Sequence, residues 1–305
     1  MASLPRPRRR PRIRALPVAD SGRTIRLDDG RELGFIEYGD PAGRPVLFFH
    51  GFGSSRVLRH PDDTIAASLG LRMIAVDRPG IGLSTPQPGR RLLDWPSDVG
   101  QLVDDLDIER FTVVGYSGGA PYALACAFRW PERVEVCGLV SGPAPLSGVR
   151  DADYMFRRHR TAARAAGRAP WMLRLVMWNW ARTQLRDPVR HLDDAVARMI
   201  EADQLIMGDP ALRALMIQNA GELYRQGRRG LYDEALVLAR PWGFRPEEIR
   251  VPVLLWHGEL DRTVPPAMAR HIARSIPGCR AHFYPGEGHH LVYERWREIL
   301  ATLAA

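Results

Sequence analysis

The chain has 305 residues and a mass of 34.3 kDa, with 45% hydrophobic and 26% charged side chains, ordinary globular composition for one large domain or a core carrying an insertion. That excludes a wholly disordered chain, a collagen-like rod and a coiled coil, and no apolar run approaches the roughly 18 residues of a membrane span. The net charge of +8 is no nucleic-acid signal, because Arg6, Arg8, Arg9, Arg10, Arg12 and Arg14 carry six of those charges and leave the remaining chain at +2.

Residues 1–20 form an Arg/Pro-rich tail, most simply a solvated, disordered arm or the result of a start codon placed too early, the rival reading being a nucleic-acid or membrane tether. An export signal needs an apolar stretch after the arginines, which Ile13-Arg14-Ala15-Leu16-Pro17 does not supply. All 43 basic residues are Arg and none is Lys, a bias that side-chain chemistry rarely demands and a GC-rich genome explains. From Arg23 the pattern turns to short β-like runs. Thr24 to Leu27 and Leu33 to Tyr38 flank the turn signal Asp28-Asp29-Gly30. Val46 to Phe49, Met73 to Val76, Phe111 to Val114 and Val134 to Val140 follow, apolar runs of the kind buried in a parallel sheet. Helical patterns lie between them at Asp62 to Leu69, Ser97 to Leu106 and Gly118 to Trp130. Strands alternating with helices predict a doubly wound, mostly parallel α/β sheet.

From residue 146 to 241 only helical periodicity remains, broken at Gly167, Pro170, Pro188, Gly208 to Pro210 and Gly227. The β/α rhythm then resumes with Val253 to Trp256, Pro266 to Ser275, Ala281 to Tyr284 and Leu291 to Leu303. The chain therefore divides into a tail (1–20), a first part of an α/β core (21–145), an all-helical cap insertion (146–241) and a second part of the core (242–305). A helical insert in an α/β order is expected to cover the carboxyl ends of the strands, where such sheets bind ligands. It carries Trp171, Met172, Met177, Trp178, Trp180, Met207 and Met216, residues that at helical spacing are more often core than pocket lining, although one face must show to the site. The insert holds 16 Arg against 11 acids, with six of the arginines between Arg150 and Arg168. Such a run is usually a solvated helix face; the sharper reading is steering of anionic substrates.

Cys126, Cys137 and Cys279 are odd in number, lack C-x-x-C spacing and sit in apolar or helical contexts. They imply no disulfide framework and no zinc site, and point to a reducing, cytoplasmic setting.

The chemistry-bearing residues follow strand ends. Gly115-Tyr116-Ser117-Gly118-Gly119 lies between a β-run and a helical run and matches G-x-S-x-G, the nucleophile-elbow pattern. A sharp strand-to-helix turn needs small residues on both sides, and it sets the Ser117 hydroxyl near the positive end of a helix with the Gly118 amide turned to an incoming oxyanion. Pro121 falls in the first turn, where its missing N–H is harmless. The plain alternative is a Gly-rich turn with no chemistry. His50-Gly51-Phe52-Gly53 follows another strand and offers a second oxyanion donor, the Phe52 N–H, with His50 bracing the loop and not acting as base. Asp261, within Trp256-His257-Gly258-Glu259-Leu260-Asp261, is an acid after a strand that suits orientation of a histidine. Among nine histidines, His289 in Pro285-Gly286-Glu287-Gly288-His289-His290 stands out by its place in the order Ser, Asp, His.

With Val76-Asp77-Arg78-Pro79-Gly80-Ile81-Gly82-Leu83-Ser84, which is similar to a D-x-x-G-x-G-x-S loop, these motifs make residues from about 22 to 305 resemble the α/β-hydrolase fold superfamily. The resemblance implies Ser117 as nucleophile, Asp261 as orienting acid, His289 as base, and the Phe52 and Gly118 amides as the oxyanion hole. It implies no metal or organic cofactor and a small-molecule acyl substrate; charge and the short apolar runs lead to no expectation of a nucleic-acid partner or a membrane span, and the oligomeric state stays open. Ser117 departs from relatives that open epoxides or remove halides with an Asp nucleophile, and His50-Gly51-Phe52-Gly53-Ser54 matches neither the H-G-G-P-G of prolyl aminopeptidases nor the H-G-x-G-P-G of dienone hydrolases. Capped serine esterases, lactonases and similar acyl hydrolases remain. The rival readings are cofactor-free perhydrolysis (haloperoxidase type) or acyl transfer on the same residues, and a non-catalytic ligand-binding module of the same fold.

Overall fold

A computed structural model describes residues 22–146, 161 and 166–305. The tail of residues 1–20 and most of the Arg150 to Arg168 run lie outside the described residues. Eight strands build one sheet: β1 (Arg23–Arg26), β2 (Glu32–Gly39), β3 (Arg44–Phe49), β4 (Leu71–Val76), β5 (Phe111–Tyr116), β6 (Val134–Val140), β7 (Val253–Gly258) and β8 (Arg280–Tyr284). Their order is β1-β2-β4-β3-β5-β6-β7-β8. β2 runs antiparallel to both its neighbours, and β4 through β8 run parallel.

The chain leaves β3 for β4 on one side and returns to place β5 on the other. β3 and β5 are therefore the switch point, where the loops after both strands diverge and open a crevice at their carboxyl ends. Alternate side chains serve opposite faces, as a strand's period of two requires. Leu47, Phe49, Ile74, Val76 and Val113 face α2 (Trp95–Asp105), α3 (Ala120–Arg129) and α9 (Pro266–Ser275). Val46, Phe48, Met73, Ala75 and Val114 face α1 (Thr64–Ser68), α10 (Leu291–Glu294) and α11 (Trp296–Ala304). The run from Leu291 to Leu303 is thus not one helix: it breaks at Arg295, beyond which Trp296 turns inward to pack edge-on against Phe48 at 5.5 Å.

Between β6 and β7 stand α4 (Pro170–Arg186), α5 (Pro188–Val196), α6 (Glu201–Met207), α7 (Pro210–Leu223) and α8 (Arg229–Ala239). The breaks at Pro170, Pro188 and Pro210 are helix starts, since proline fits the first turn. The Asp187 carboxylate accepts the Arg190 N–H, and Asp209 accepts those of Ala211 and Leu212, so two of these starts are side-chain capped. The helices share a core of Leu173, Met177, Ala181, Leu223 and Leu231, which packs on Ile81 and Phe52 of the sheet's loops. No helix among the described residues is long and apolar enough to cross a membrane.

Candidate active site

Ser117 begins the turn from β5 into α3 with a φ of +50°, a left-handed conformation that a non-glycine residue holds only when its surroundings enforce it. The enforcement is steric. A Cβ on Gly119 would lie 2.0 Å from the Phe49 carbonyl oxygen, and one on Gly115 2.5 Å from the Ala120 Cα. Both neighbours are backbone, so only glycine at these two positions allows the helix to start this close to β3 and β5.

His289 reaches the same point from the loop after β8. Its Nε2 lies 2.9 Å from Ser117 Oγ and its Nδ1 2.7 Å from Asp261 Oδ2. A carboxylate only accepts, so Nδ1 carries the hydrogen, and the Nε2 lone pair faces the serine hydroxyl. Asp261, after β7, is buried, and its Oδ1 accepts the Thr263 and Val264 N–H groups at 2.7 and 2.8 Å. Burial alone would push this carboxyl up; the charge and hydrogen bond of His289, with His257 and the Val264 amide, outweigh it and hold Asp261 below the usual value.

The remaining donors adjoin the serine. Phe52 N lies 2.8 Å from the position of a Gly118 Cβ, so the loop after β3 and the elbow are in contact there. Gly118 stands at the start of a helical turn, where N–H groups have no intrahelical acceptor. His50 is buried with its Nδ1 2.9 Å from Arg78, and burial followed by the Arg78 charge drives its pKa well down. It braces the loop as a neutral ring. The structure thus brings Ser117, Asp261, His289, Phe52 and Gly118 to one place.

Two cavities meet there. One, about 250 Å³, is lined by Gly118 and Pro121 with Leu173, Met177, Leu238 and Trp242. The other, about 280 Å³, is lined by His289 with Trp180, Gln184, His191, Met216 and Asn219. Ser117, Phe52 and Thr263 border both. No charged side chain lines either cavity among the described residues. The seven Trp and Met residues of the insert named above therefore separate: Met177, Trp180 and Met216 line the cavities, Met207 is core, and Trp171, Met172 and Trp178 face outward. Trp178 instead sits in a surface cleft beside Arg174, Arg228 and Tyr232.

Comparison with known proteins agrees with this fold. The family described as alpha/beta hydrolase fold matches residues 44–295. The chain belongs to that family. It is 28% identical over 280 residues to the dihydrolipoyllysine-residue acetyltransferase component of an acetoin cleaving system from Pseudomonas putida, covering 90% of this chain and 66% of that protein. With a putative 2-succinyl-6-hydroxy-2,4-cyclohexadiene-1-carboxylate synthase from Bacillus subtilis (strain 168) it shares 27% identity over 279 residues, 90% of this chain and 93% of the relative. The solved structure of an esterase from Exiguobacterium antarcticum superposes with a TM-score of 0.69 at 21% identity, over 92% of this chain and 97% of that one, a likeness of fold.

Three residues of this α/β hydrolase that position the site escaped sequence reading. Asn219 of α7 holds the loop after β3, its Oδ1 accepting from the Ser55 N–H and hydroxyl at 2.8 Å and its Nδ2 donating to Gly53 O at 3.2 Å. Arg78, fully buried, donates to the His50 and Gly51 carbonyls at 2.7 and 3.0 Å and pairs with Glu234 of α8. Ser141, after β6, donates its hydroxyl to the His289 carbonyl at 3.0 Å. Arg78 lies inside a quoted motif, so its position was visible although its partner was not. Asn219 and Ser141 bond to backbone far away in sequence and leave no local signal.

Proposed function

We propose that this α/β hydrolase is a serine hydrolase that cleaves an ester or related acyl bond of a small, uncharged, largely apolar substrate through an acyl-enzyme. The observation that carries the reading is the chain of hydrogen bonds from Asp261 through His289 to Ser117 at the junction of the two cavities. A serine hydroxyl is a weak nucleophile at neutral pH, so His289 Nε2 takes its proton as Oγ attacks the carbonyl carbon. Asp261 keeps the proton on Nδ1 and stabilises the imidazolium that forms. The Phe52 and Gly118 amides receive the developing oxyanion, each such donor being worth about 3 kcal/mol. His289 then protonates the leaving alkoxide, and water deprotonated by the same nitrogen attacks the acyl-enzyme and frees Ser117 as the carboxylic acid departs.

This chemistry orients the substrate. The leaving oxygen must lie within reach of His289 Nε2, so the alcohol half belongs in the cavity that His289 lines, beside Gln184 and His191. The acyl half takes the other, apolar cavity, against Leu173, Met177, Leu238 and Trp242. The absence of charged lining among the described residues favours neutral esters over the anionic substrates that the basic insert raised as a possibility. The insert acts as the cap of the site. Three free cysteines, two of them buried, fit a reducing cytoplasmic setting.

The test is steady-state hydrolysis of an ester panel graded by acyl length. Ser117→Ala is expected to lower kcat by roughly 10⁴- to 10⁶-fold with the fold intact. Retention of most of the activity by that variant contradicts the reading.

A further inference from the structure

One carboxylate of the insert is turned inward onto the loop that carries His289. Asp203, on α6, is 5% exposed and makes no ion pair with an arginine among the described residues. Its two oxygens are divided between adjacent peptides: Oδ2 accepts the His289 N–H at 3.1 Å, and Oδ1 accepts the His290 N–H at 2.9 Å. Burial pushes this carboxyl up, and the two N–H groups offset only part of the effect. A buried carboxylate without a cationic partner is costly unless its hydrogen bonds compensate it, and here they are spent on the backbone of the proposed base.

Gly288 records how close the approach is. A Cβ there would lie 2.3 Å from Asp203 Oδ2, 2.5 Å from Cγ and 2.6 Å from Oδ1. The Gly288 backbone is not left-handed, so it is the space taken by Asp203 that requires glycine. From other directions His289 is held equally firmly: its carbonyl accepts from Ser141 after β6, and its ring donates to Asp261 after β7. The peptide N–H, the peptide carbonyl and the imidazole thus each answer to a different part of the fold, and only the N–H answers to the insert.

We propose that Asp203 is a positioning residue for the general base, gripping the His289 and His290 amides so that Nε2 reaches Ser117 only with α6 seated. The proposal rests on the hydrolase reading above. Asp203 lines neither cavity, and its hydrogen bonds go to the peptide and not to the imidazole. It acts through the peptide, and a misplacement of about 1 Å in such a group lowers rates by as much as roughly a hundredfold. A purely structural tether, by contrast, changes stability and leaves turnover alone.

The experiment combines amide hydrogen exchange with ester kinetics on the full chain. Asp203→Asn keeps the side-chain shape but offers one acceptor where two are needed and turns an NH₂ group toward the other N–H. Exchange at the His289 and His290 amides is expected to accelerate about tenfold or more, while kcat falls about ten- to a hundredfold and KM stays within about twofold. Gly288→Ala displaces the carboxylate without removing it and is expected to lower kcat alike, and it carries the same test should Asp203→Asn fail to fold. In a variant carrying both Asp203→Ala and Gly288→Ala the two effects are expected not to add, because the second change has nothing left to displace. Accelerated exchange with kcat retained, or exchange unchanged in a folded variant, overturns the proposal. Wild-type protein that hydrolyses no ester overturns the hydrolase reading instead, and amide exchange then decides alone whether Asp203 holds the loop.

Discussion

The two adjacent histidines meet different partners: His289 faces Ser117 and Asp261, while His290 Nδ1 lies 2.9 Å from the Tyr116 hydroxyl. Burial, then the neighbouring His289, pushes the His290 pKa down to about 3, so it packs as a neutral ring. On the proposed mechanism His289→Ala lowers kcat by roughly 10³-fold or more. His290→Ala lowers it by about tenfold at most, through packing, and stopped assays of both variants on one ester check the order. The tryptophans separate in the same way. Trp180 lines the cavity assigned to the leaving group, and Trp178 is 46% exposed in a different cleft. Trp180→Ala is expected to change the ranking of leaving alcohols at constant acyl chain, and Trp178→Ala to leave it as it was; a reversed pattern in the ester panel contradicts the cavity assignment. Ser117, Asp261 and His289 were legible because each follows a strand end in a short loop of small or polar residues. Asp203, Asn219 and Ser141 were not, since what they hold is backbone brought near by topology.

At the scale of elements, the elbow depends on how closely α3 approaches β3. Gly119 has no room for a methyl group, with the Phe49 and His50 carbonyl oxygens 2.0 and 2.7 Å from its would-be Cβ, and neither can yield without moving a central strand. Gly119→Ala is therefore expected to destabilise the fold by about 3 kcal/mol, the upper part of the usual overpacking range. Urea unfolding measures this, and an unchanged midpoint contradicts the geometry. The central strands were legible to within a few residues because each is an apolar run bounded by turn residues, whereas β1 (Arg23–Arg26) and β8 (Arg280–Tyr284) are edge strands of mixed polarity. The helical insert was legible from its proline and glycine breaks, two of which are capped helix starts. What periodicity left open was which side of each helix meets which neighbour. On α4, Met177 and Trp180 turn to the site while Trp171, Leu175 and Val176 face outward, a choice made by packing against Phe52 and Leu231 and not by spacing alone.

For the molecule as a whole, buried neutral histidines tie stability to pH. His50, His257 and His290 all have lowered pKa values, in each case from burial first, with nearby Arg78 adding for His50 and His289 for His290. Their neutral forms are favoured by folding, so their contribution is intact above the unfolded imidazole value near 6.5. It is lost as pH falls below that value, because the unfolded chain then binds protons that the native one refuses. A ring that stays neutral in the native state while the unfolded chain takes up its proton lowers stability with a slope that approaches about 1.4 kcal/mol per pH unit. Asp77 and Glu234, raised by burial against the pull of Arg56 and Arg78, work in the opposite sense once they begin to take up protons in the folded state. Urea midpoints at pH 7.5 and 5.5 are expected to fall with acid; a midpoint that holds or rises contradicts the burial of these rings.

On the proposed mechanism Ser117 is the nucleophile, made so by His289 and Asp261 at the meeting of the two cavities. Incubation with a fluorophosphonate, followed by intact mass and peptide mapping, reads out that role. A single adduct is expected on the peptide carrying Ser117, formed rapidly by the wild type, far more slowly by His289→Ala and not at all by Ser117→Ala. An adduct on another residue, or equal labelling of the wild type and Ser117→Ala, contradicts it.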